Sequence, residues 1–414
     1  MQIIDNNKFI VGSIRIKRNA KYITQGLPWV YSNEVIRTEK NLSPGSWVSL
    51  LDEKGSPLGY GFYNPHSLIA YRSFLKTDQK SISVDSVKAI FFSRIRSALE
   101  LRRNVYSAHI HSKAIGEFSF RLCFGESDGL AGLVVDLFHL GMKTKGYAVV
   151  QCHAAGADTF IPWVQEFLKE HLQIECGVVR NDLSVRTLEK APQEVISWGK
   201  EPESVHCLEG GVWFGVQPIT GQKTGYFYDH RDNRFALSDC ISKDKPVEIV
   251  DCFSYTGSWG LQLLKQNPLA KLTAIDVSQT ALDELQKNAE QNGLEKRVKC
   301  LKTDFFEQLP IQQKFDVVIC DPPAVTSSAK HKKVAQKALG QCFKKADELT
   351  KPNGITVLAS CSYHIGWSEF EEAIAQKSPN LQLFFFGSQA KDHPVLASMS
   401  SSRYLKCVFG RKQN

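Results

Sequence analysis

The 414-residue sequence has no apolar run approaching the roughly 18 residues that a membrane-spanning helix needs, and its start, MQIIDNNKF, has no apolar signal segment. The expectation is a cytoplasmic protein that makes no use of a membrane. No CxxC pair occurs among the eleven cysteines, which excludes zinc knuckles of the usual spacing and argues against a secreted disulfide framework. Reduced thiols and no bound metal are expected. GxGxxG is also missing, so a pyrophosphate-binding dinucleotide fold, and with it a nicotinamide dehydrogenase, is disfavoured.

What is present is an ordinary globular composition, 43% hydrophobic and 23% charged, in a chain long enough for two or three domains. The net charge of +8 permits a polyanionic partner and is unevenly spread. Residues 1–77 carry 10 Lys/Arg against 5 Asp/Glu, whereas residues 78–206 carry 15 against 16.

Residues 1–77 alternate short strand-like runs (IVGSIRIK, LPWVYSNEVI, SPGSWVSLLD, EKGSPLGYGFYN, SLIAYRSF) with Gly/Pro turns, the pattern of a small β-barrel. Lys17, Arg18 and Lys21 cluster ahead of Gly26 to Trp29, either as a solvated turn or as an RNA-docking face. Residues 78–206 begin with a long helix, Val84 to Tyr106, whose basic end (Arg94, Arg96, Arg102, Arg103) reads as a solvated face. An α+β unit of strand, strand, helix, strand, strand follows, with SVRTLE as its last strand and Glu126 and Asp128 as turn residues.

From residue 207 to 414 strands alternate with helices, which implies a doubly wound α/β sheet of Rossmann-like type with the last strand inserted antiparallel. VEIVDCFSYTGSWGLQLL is a strand, a small-residue turn and a helix. Asp251 ends its strand, Gly257 and Gly260 allow close backbone approach, and Asp276 ends the next strand where it can accept ribose hydroxyls. Without a phosphate-binding loop, the fitting ligand is S-adenosylmethionine (AdoMet). Phe253, Tyr255, Thr256 and Gly257 would line its loop, Asp304 would take the adenine amino group, and Phe305 would pack on the ring. The polar stretch Gly221 to Arg234 reads as a solvated hairpin or as a lid using Lys223, Asp229 and Arg231, with Asp232 available to cap the next helix.

Asp321-Pro322-Pro323 places a strand-end carboxylate before a stiff loop poor in donors, suited to a planar base edge. Cys361, in SCSYH after the following strand, separates two chemistries. Carbon 5 of a pyrimidine becomes nucleophilic only after a thiolate adds to carbon 6, whereas methylation of a nitrogen needs no cysteine. Position alone leaves Cys361 divided between nucleophile and packing. Cys320 reads as core.

These segments resemble the bacterial large-subunit ribosomal RNA cytosine-5 methyltransferases, which join an N-terminal PUA domain, a central α+β domain and a class I AdoMet methyltransferase domain. The resemblance spans the chain. It rests on GLPWVYSNEV and GYGFYNP, on ESDGLAGLVVD, and on TGQKTGYFYDHRDNR, DCFSYTG, DPPAV and SCSYH. It implies Cys361 as nucleophile, Asp321 as the base-holding carboxylate, AdoMet on residues 253–257, Asp276 and Asp304, and RNA on the PUA basic face, Pro322, Pro323 and Arg231. Three positions depart from the pattern: DPPAV replaces DPPKF, so Val325 stands at the aromatic position with Lys330, Lys332 and Lys333 just beyond; Ala131 replaces a proline; and TGSWG replaces a glycine-rich turn. The expected reaction is 5-methylcytidine formation in large-subunit ribosomal RNA, with bound water, Cys320 or Asp321 removing the carbon 5 proton. The competing expectations are N-methylation of an RNA purine and a non-catalytic RNA-binding homologue. The oligomeric state, a homodimer included, is open.

Overall fold

The computed structural model describes residues 9–39, 41–107, 119–140, 146–324 and 332–413; Val325 and Lys330 lie outside them. The chain forms two compact units. Residues 1–205 make up most of the first, together with 217–226 and 391–400, and the second comprises 206–216, 227–390 and 401–414.

The first unit begins with six strands, β1 (Gly12–Ile16), β2 (Trp29–Tyr31), β3 (Val35–Thr38), β4 (Ser46–Leu51), β5 (Pro57–Tyr63) and β6 (Ile69–Lys76), with a single helical turn α1 (Lys21–Thr24) after β1. They form one sheet in the order β2-β6-β5-β4-β1-β3, with β1 parallel to β4 and the other pairs antiparallel. Period-two alternation in β4 sends Val48 and Leu50 into a core with Ile14, Ile16, Val30 and Tyr71. Trp47 faces the other way. Its ring packs on Phe62, Phe74 and Phe160, and its Nε1 donates to Thr159 Oγ1 at 3.1 Å.

Helix α2 (Val84–Val105) starts where the Ser83 hydroxyl accepts from the Ser86 amide, and buries Val87, Phe91, Ile95, Ala98 and Leu99 along one face. Behind it stand β7 (Phe120–Phe124), β8 (Leu133–Leu140), β9 (Gly146–Cys152), α3 (Ile161–Leu172) and β10 (Gly177–Arg180), then α4 (Ser184–Leu188) and β11 (Val195–Trp198). SVRTLE is therefore a short helix and not a strand. Folding it as α4 lets the fully buried Arg186 grip both oxygens of Asp158 at 2.8 Å and the Pro192 carbonyl at 2.7 Å.

The basic end of α2 is less solvated than its composition suggests. Arg102 is fully buried and holds Asp128 with two hydrogen bonds of 2.5 and 2.7 Å, while Arg94 donates to the carbonyls of Phe74 and Gly129. Glu126 is likewise more than a turn residue. It accepts from Arg72 of β6 at 2.6 Å and from Trp29 of β2 at 2.7 Å, tying the N-terminal sheet to the turn before β8. Burial raises its carboxyl, but Arg72 and the Trp29 hydrogen bond outweigh that and hold it low.

In the second unit β12 (Val205–Glu209) and β13 (Val212–Val216) precede α5 (Arg231–Cys240). Then come β14 (Glu248–Asp251), α6 (Gly260–Gln266), β15 (Lys271–Asp276), α7 (Gln279–Gln291), β16 (Val298–Lys302), β17 (Phe315–Cys320), α8 (Lys332–Leu349), β18 (Thr350–Ser360), α9 (Trp367–Lys377), β19 (Leu381–Gly387) and β20 (Lys406–Lys412). The sheet order is β16-β15-β14-β17-β18-β20-β19, parallel from β16 to β18 and antiparallel across β20. The doubly wound sheet and the inverted last strand are as expected. His230, not Asp232, holds the N-cap position of α5, and Asp232 lies inside its first turn. No helix among the described residues is long and apolar enough to cross a membrane.

Replacing Glu126 by Ala leaves Arg72 with only a distant 3.9 Å contact to Glu189 and orphans the Trp29 indole. We expect thermal denaturation to show a loss on the order of 3 kcal/mol, and a smaller loss for Glu126→Gln, which keeps an oxygen for Trp29. An unchanged melting temperature for Glu126→Ala would mean the pair does not hold the N-terminal sheet.

Candidate active site

Chain order in the second sheet runs outward from β14 through β15 to β16, then restarts on the other side of β14 with β17. Such a reversal marks the carboxyl ends of β14 and β17 as the place where open α/β sheets receive ligands. Asp251 ends β14, and Asp321 directly follows β17.

The turn after β14 is shaped by backbone conformation. Tyr255 adopts φ +46°, unusual for a residue with a Cβ, and its amide donates to Asp276 Oδ2 at 2.9 Å while its ring meets Phe227 edge-on at 5.2 Å. Gly257 has φ +89°, and a Cβ there would lie 2.8 Å from Leu285. Thr256 is buried, its carbonyl accepting from Asn288 at 3.0 Å. Asp276 also accepts from the Ser278 amide at 2.9 Å, so both its oxygens brace the loops around it.

Asp304 lies two residues past the end of β16 and accepts from the Phe306 amide at 2.9 Å, forming a tight turn and not ending the strand. Phe305 departs from its expected role. It is 1% exposed, inside a core cluster against Phe253 at 5.1 Å, and cannot present a face to adenine. The exposed aromatic of the pair is Phe306, at 54% and 6.2 Å from Phe253.

Asp321 is held by two residues that sequence reasoning did not assign. Trp259 Nε1 donates to Oδ2 at 3.2 Å, and His230 Nε2 stands 3.3 Å from Oδ1. The Asn233 amide, which donates to the Ser388 carbonyl at 3.0 Å, lies 3.1 Å from His230 Nδ1 and fixes the ring beside Asp321. Burial raises the Asp321 carboxyl, but the charge and hydrogen bond of His230, with Trp259, hold it below the usual value. Asp321 is therefore an ionised acceptor. Pro322 is buried and Pro323 exposed. The signals for both partners were present: His230 lies between the two residues chosen in DHR, and Trp259 is the bulky residue in the unusual TGSWG turn.

Cys361 directly follows β18 and is partly buried. Its loop is stapled by Lys406, 2% exposed and paired across the sheet with Ser360. The ammonium donates to the carbonyls of Ser362 (2.7 Å), Ile365 (2.6 Å) and Tyr404 (2.7 Å). Burial lowers the Lys406 amine to about 8, with Cys361 and Glu369 opposing the shift. Cys320 is fully buried among Cys252, Cys342 and apolar side chains, and burial pushes its thiol well up.

Comparison with known proteins decides the family. A PUA-like domain model matches residues 14–75 and a methyltransferase domain model matches residues 243–407. Ribosomal RNA large subunit methyltransferase I of Aeromonas salmonicida is 30% identical over 96% of this chain and 98% of its own length, and that of Vibrio cholerae 32% over 94% and 96%. The chain belongs to the ribosomal RNA large subunit methyltransferase I family. A SAM-dependent methyltransferase from Streptococcus mutans shares its fold, with a TM-score of 0.74 at 17% identity over 96% of this chain and 99% of that one. A methyltransferase structure complexed with S-adenosylhomocysteine gives a TM-score of 0.75 at 16% identity, with 96% and 99% covered.

For a methyltransferase of this family the cofactor is AdoMet, and Asp251 tests whether the site fits that cation. Its carboxyl is fully buried, and neither oxygen has a hydrogen bond of ordinary geometry. Burial, then Asp321 and Asp276, push it up to about 8, only partly offset by the amides of Gly260 and Phe253. A buried, under-compensated carboxylate beside a small-residue turn suits a ligand carrying an ammonium and a sulfonium.

Arg231 is taken up by the fold. It is fully buried, its Nε 2.8 Å from Glu209, which also takes Arg234 (2.6 Å) and Gln262 (2.8 Å). Committed to Glu209, it is not an RNA contact. Asp229 is buried and accepts from Tyr404 Oη at 2.7 Å. Lys223 is exposed, with φ +51°, and belongs to the first unit, as do the exposed Lys17, Arg18 and Lys21. Lys17 donates to the Asn33 carbonyl at 2.6 Å, and Lys21 lies 5.4 Å from the centre of the Tyr31 ring.

Because the folded-state Asp251 carboxyl is raised, the native protein keeps a proton that the unfolded chain releases from about pH 4 upward. The stability linked to this group therefore falls as pH climbs toward 8 and stays low above it. Asp251→Asn should stabilise the ligand-less protein by roughly 2 kcal/mol or more at pH 9 and much less at pH 5, read in thermal scans as a higher melting temperature. Equal effects at the two pH values would contradict the assignment.

Proposed function

We propose that the chain transfers a methyl group from AdoMet to carbon 5 of a cytosine in large-subunit ribosomal RNA, in the cytoplasm. The carrying observation is Cys361 at the carboxyl end of β18, in a loop fixed by the buried Lys406 ammonium. The name of the relatives points to large-subunit ribosomal RNA as substrate, and the PUA-like match supports an RNA partner. Residues 1–77 would dock RNA through Lys17, Arg18 and Lys21, 78–206 would connect, and 207–414 would carry out transfer.

Asp251, the 253–257 turn, Asp276 and Asp304 would hold the cofactor, which when bound supplies an electrophilic methyl. Asp321, ionised and oriented by His230 and Trp259, accepts from the exocyclic amine of cytosine along the Pro322-Pro323 loop. The target must be unstacked, since carbon 6 is inaccessible inside a helix. The Cys361 thiolate adds to carbon 6 and makes carbon 5 enamine-like, so that it accepts the methyl. Loss of the carbon 5 proton then expels the thiolate and restores the ring. Cys320 is a poor acceptor for that proton, being sealed in the core with a raised thiol, which leaves Asp321 or water.

Labelled methyl transfer to unmodified large-subunit ribosomal RNA should fall at least a thousandfold in Cys361→Ala, with AdoMet binding intact, and the wild-type product should be 5-methylcytidine by mass analysis. Equal labelling by the two proteins, or methyl found on a ring nitrogen or exocyclic amine, would replace this reading with N-methylation.

A further inference from the structure

Two residues past Cys361, Tyr363 is 65% exposed, yet its ring is not loose. It stacks on Tyr404 with centroids 5.0 Å apart and planes 24° from parallel. Tyr404 is fixed at three points: its hydroxyl donates to Asp229 at 2.7 Å, its amide donates to Gln389 Oε1 at 3.1 Å, and its carbonyl accepts from Lys406 at 2.7 Å. The same ammonium holds the carbonyls of Ser362 and Ile365, on either side of Tyr363 in the chain. The loop that carries Cys361 thus also presents an aromatic face to solvent, backed by a second ring.

A large ring left mostly exposed costs solubility and ordering entropy. Aromatic faces held this way are the common means of capturing unstacked bases, because every base offers a π-face whatever its sequence. We propose that Tyr363, backed by Tyr404, is a stacking subsite for a nucleobase flanking the target. The target itself is the less suitable occupant. A thiolate adds to carbon 6 from above the ring plane, so Cys361 needs that face of the target clear, and a second ring from the same short loop would compete for it. The inference rests on the transfer site proposed above, and identifies what holds the RNA strand beside it.

The test compares wild type, Tyr363→Ala, Tyr363→Phe and Tyr363→Trp in methyl transfer to unmodified large-subunit ribosomal RNA. Tyr363→Ala should raise the apparent KM for RNA roughly ten- to hundredfold, with kcat changed far less and AdoMet affinity by calorimetry unaltered. Phe and Trp, which keep a ring face, should restore most of the loss. An unchanged KM in Tyr363→Ala, or Phe as defective as Ala, would overturn the subsite, the latter by assigning the effect to the hydroxyl. Filter binding of the same RNA in a Cys361→Ala background separates the two proposals. Loss of affinity on adding Tyr363→Ala supports stacking even if the methyl is found on a nitrogen, and no loss refutes it even if 5-methylcytidine is formed.

Discussion

The arrangement of this molecule follows from a shortage of positive charge where three strands end. Asp276 closes β15, Asp251 closes the adjacent β14, and Asp321 directly follows β17 beside it, and they are not compensated alike. Asp276 is absorbed by backbone amides, and Asp321 has His230 and Trp259. Asp251 has no such partner and carries the repulsion of the other two. An uncompensated buried carboxylate is costly to a resting fold. It becomes an asset once a cation arrives, and on the proposed reading Asp251 would lend its charge to binding AdoMet.

Much of the remaining polar burial serves to keep these groups in place. Glu209 gathers Arg231, Arg234 and Gln262, joining β12 to α5 and α6. Those helices carry or follow the two residues that grip Asp321, His230 at the N-cap of α5 and Trp259 at that of α6. Lys406 plays the matching role for the cysteine loop. Each is a buried charge fully committed to neighbours, which explains why Arg231, attractive as a contact to phosphate on composition alone, is structural.

The strand ends were legible in the sequence because a parallel sheet buried on both faces writes each strand as an apolar run closed by a polar residue: EIVD, KLTAID and FDVVICD could be read directly. Cys361 was placed by the same rule. The partners of Asp321 were harder, since His230 and Trp259 reach it from helix starts far away in sequence, and no local pattern encodes that meeting. SVRTLE reads as a strand by composition, whereas the long-range pairing of Arg186 with Asp158 that accompanies its helical form is not visible in the local sequence. Phe305 and Phe306 differ by one step of backbone, which composition does not resolve. That the first unit takes in the distant segments 217–226 and 391–400 was also invisible, because it depends on contacts such as Arg121 with His393 and Thr224 with Asp136.

The central claim is that a covalent bond forms between Cys361 and carbon 6 of the target. Large-subunit ribosomal RNA containing 5-fluorocytidine tests it most directly, because fluorine cannot leave carbon 5 as a proton does, and the thiolate would remain trapped. The account predicts an AdoMet-dependent protein–RNA adduct that survives denaturation and maps by peptide mass to Cys361. Turnover with no adduct, or an adduct on another cysteine, would contradict it.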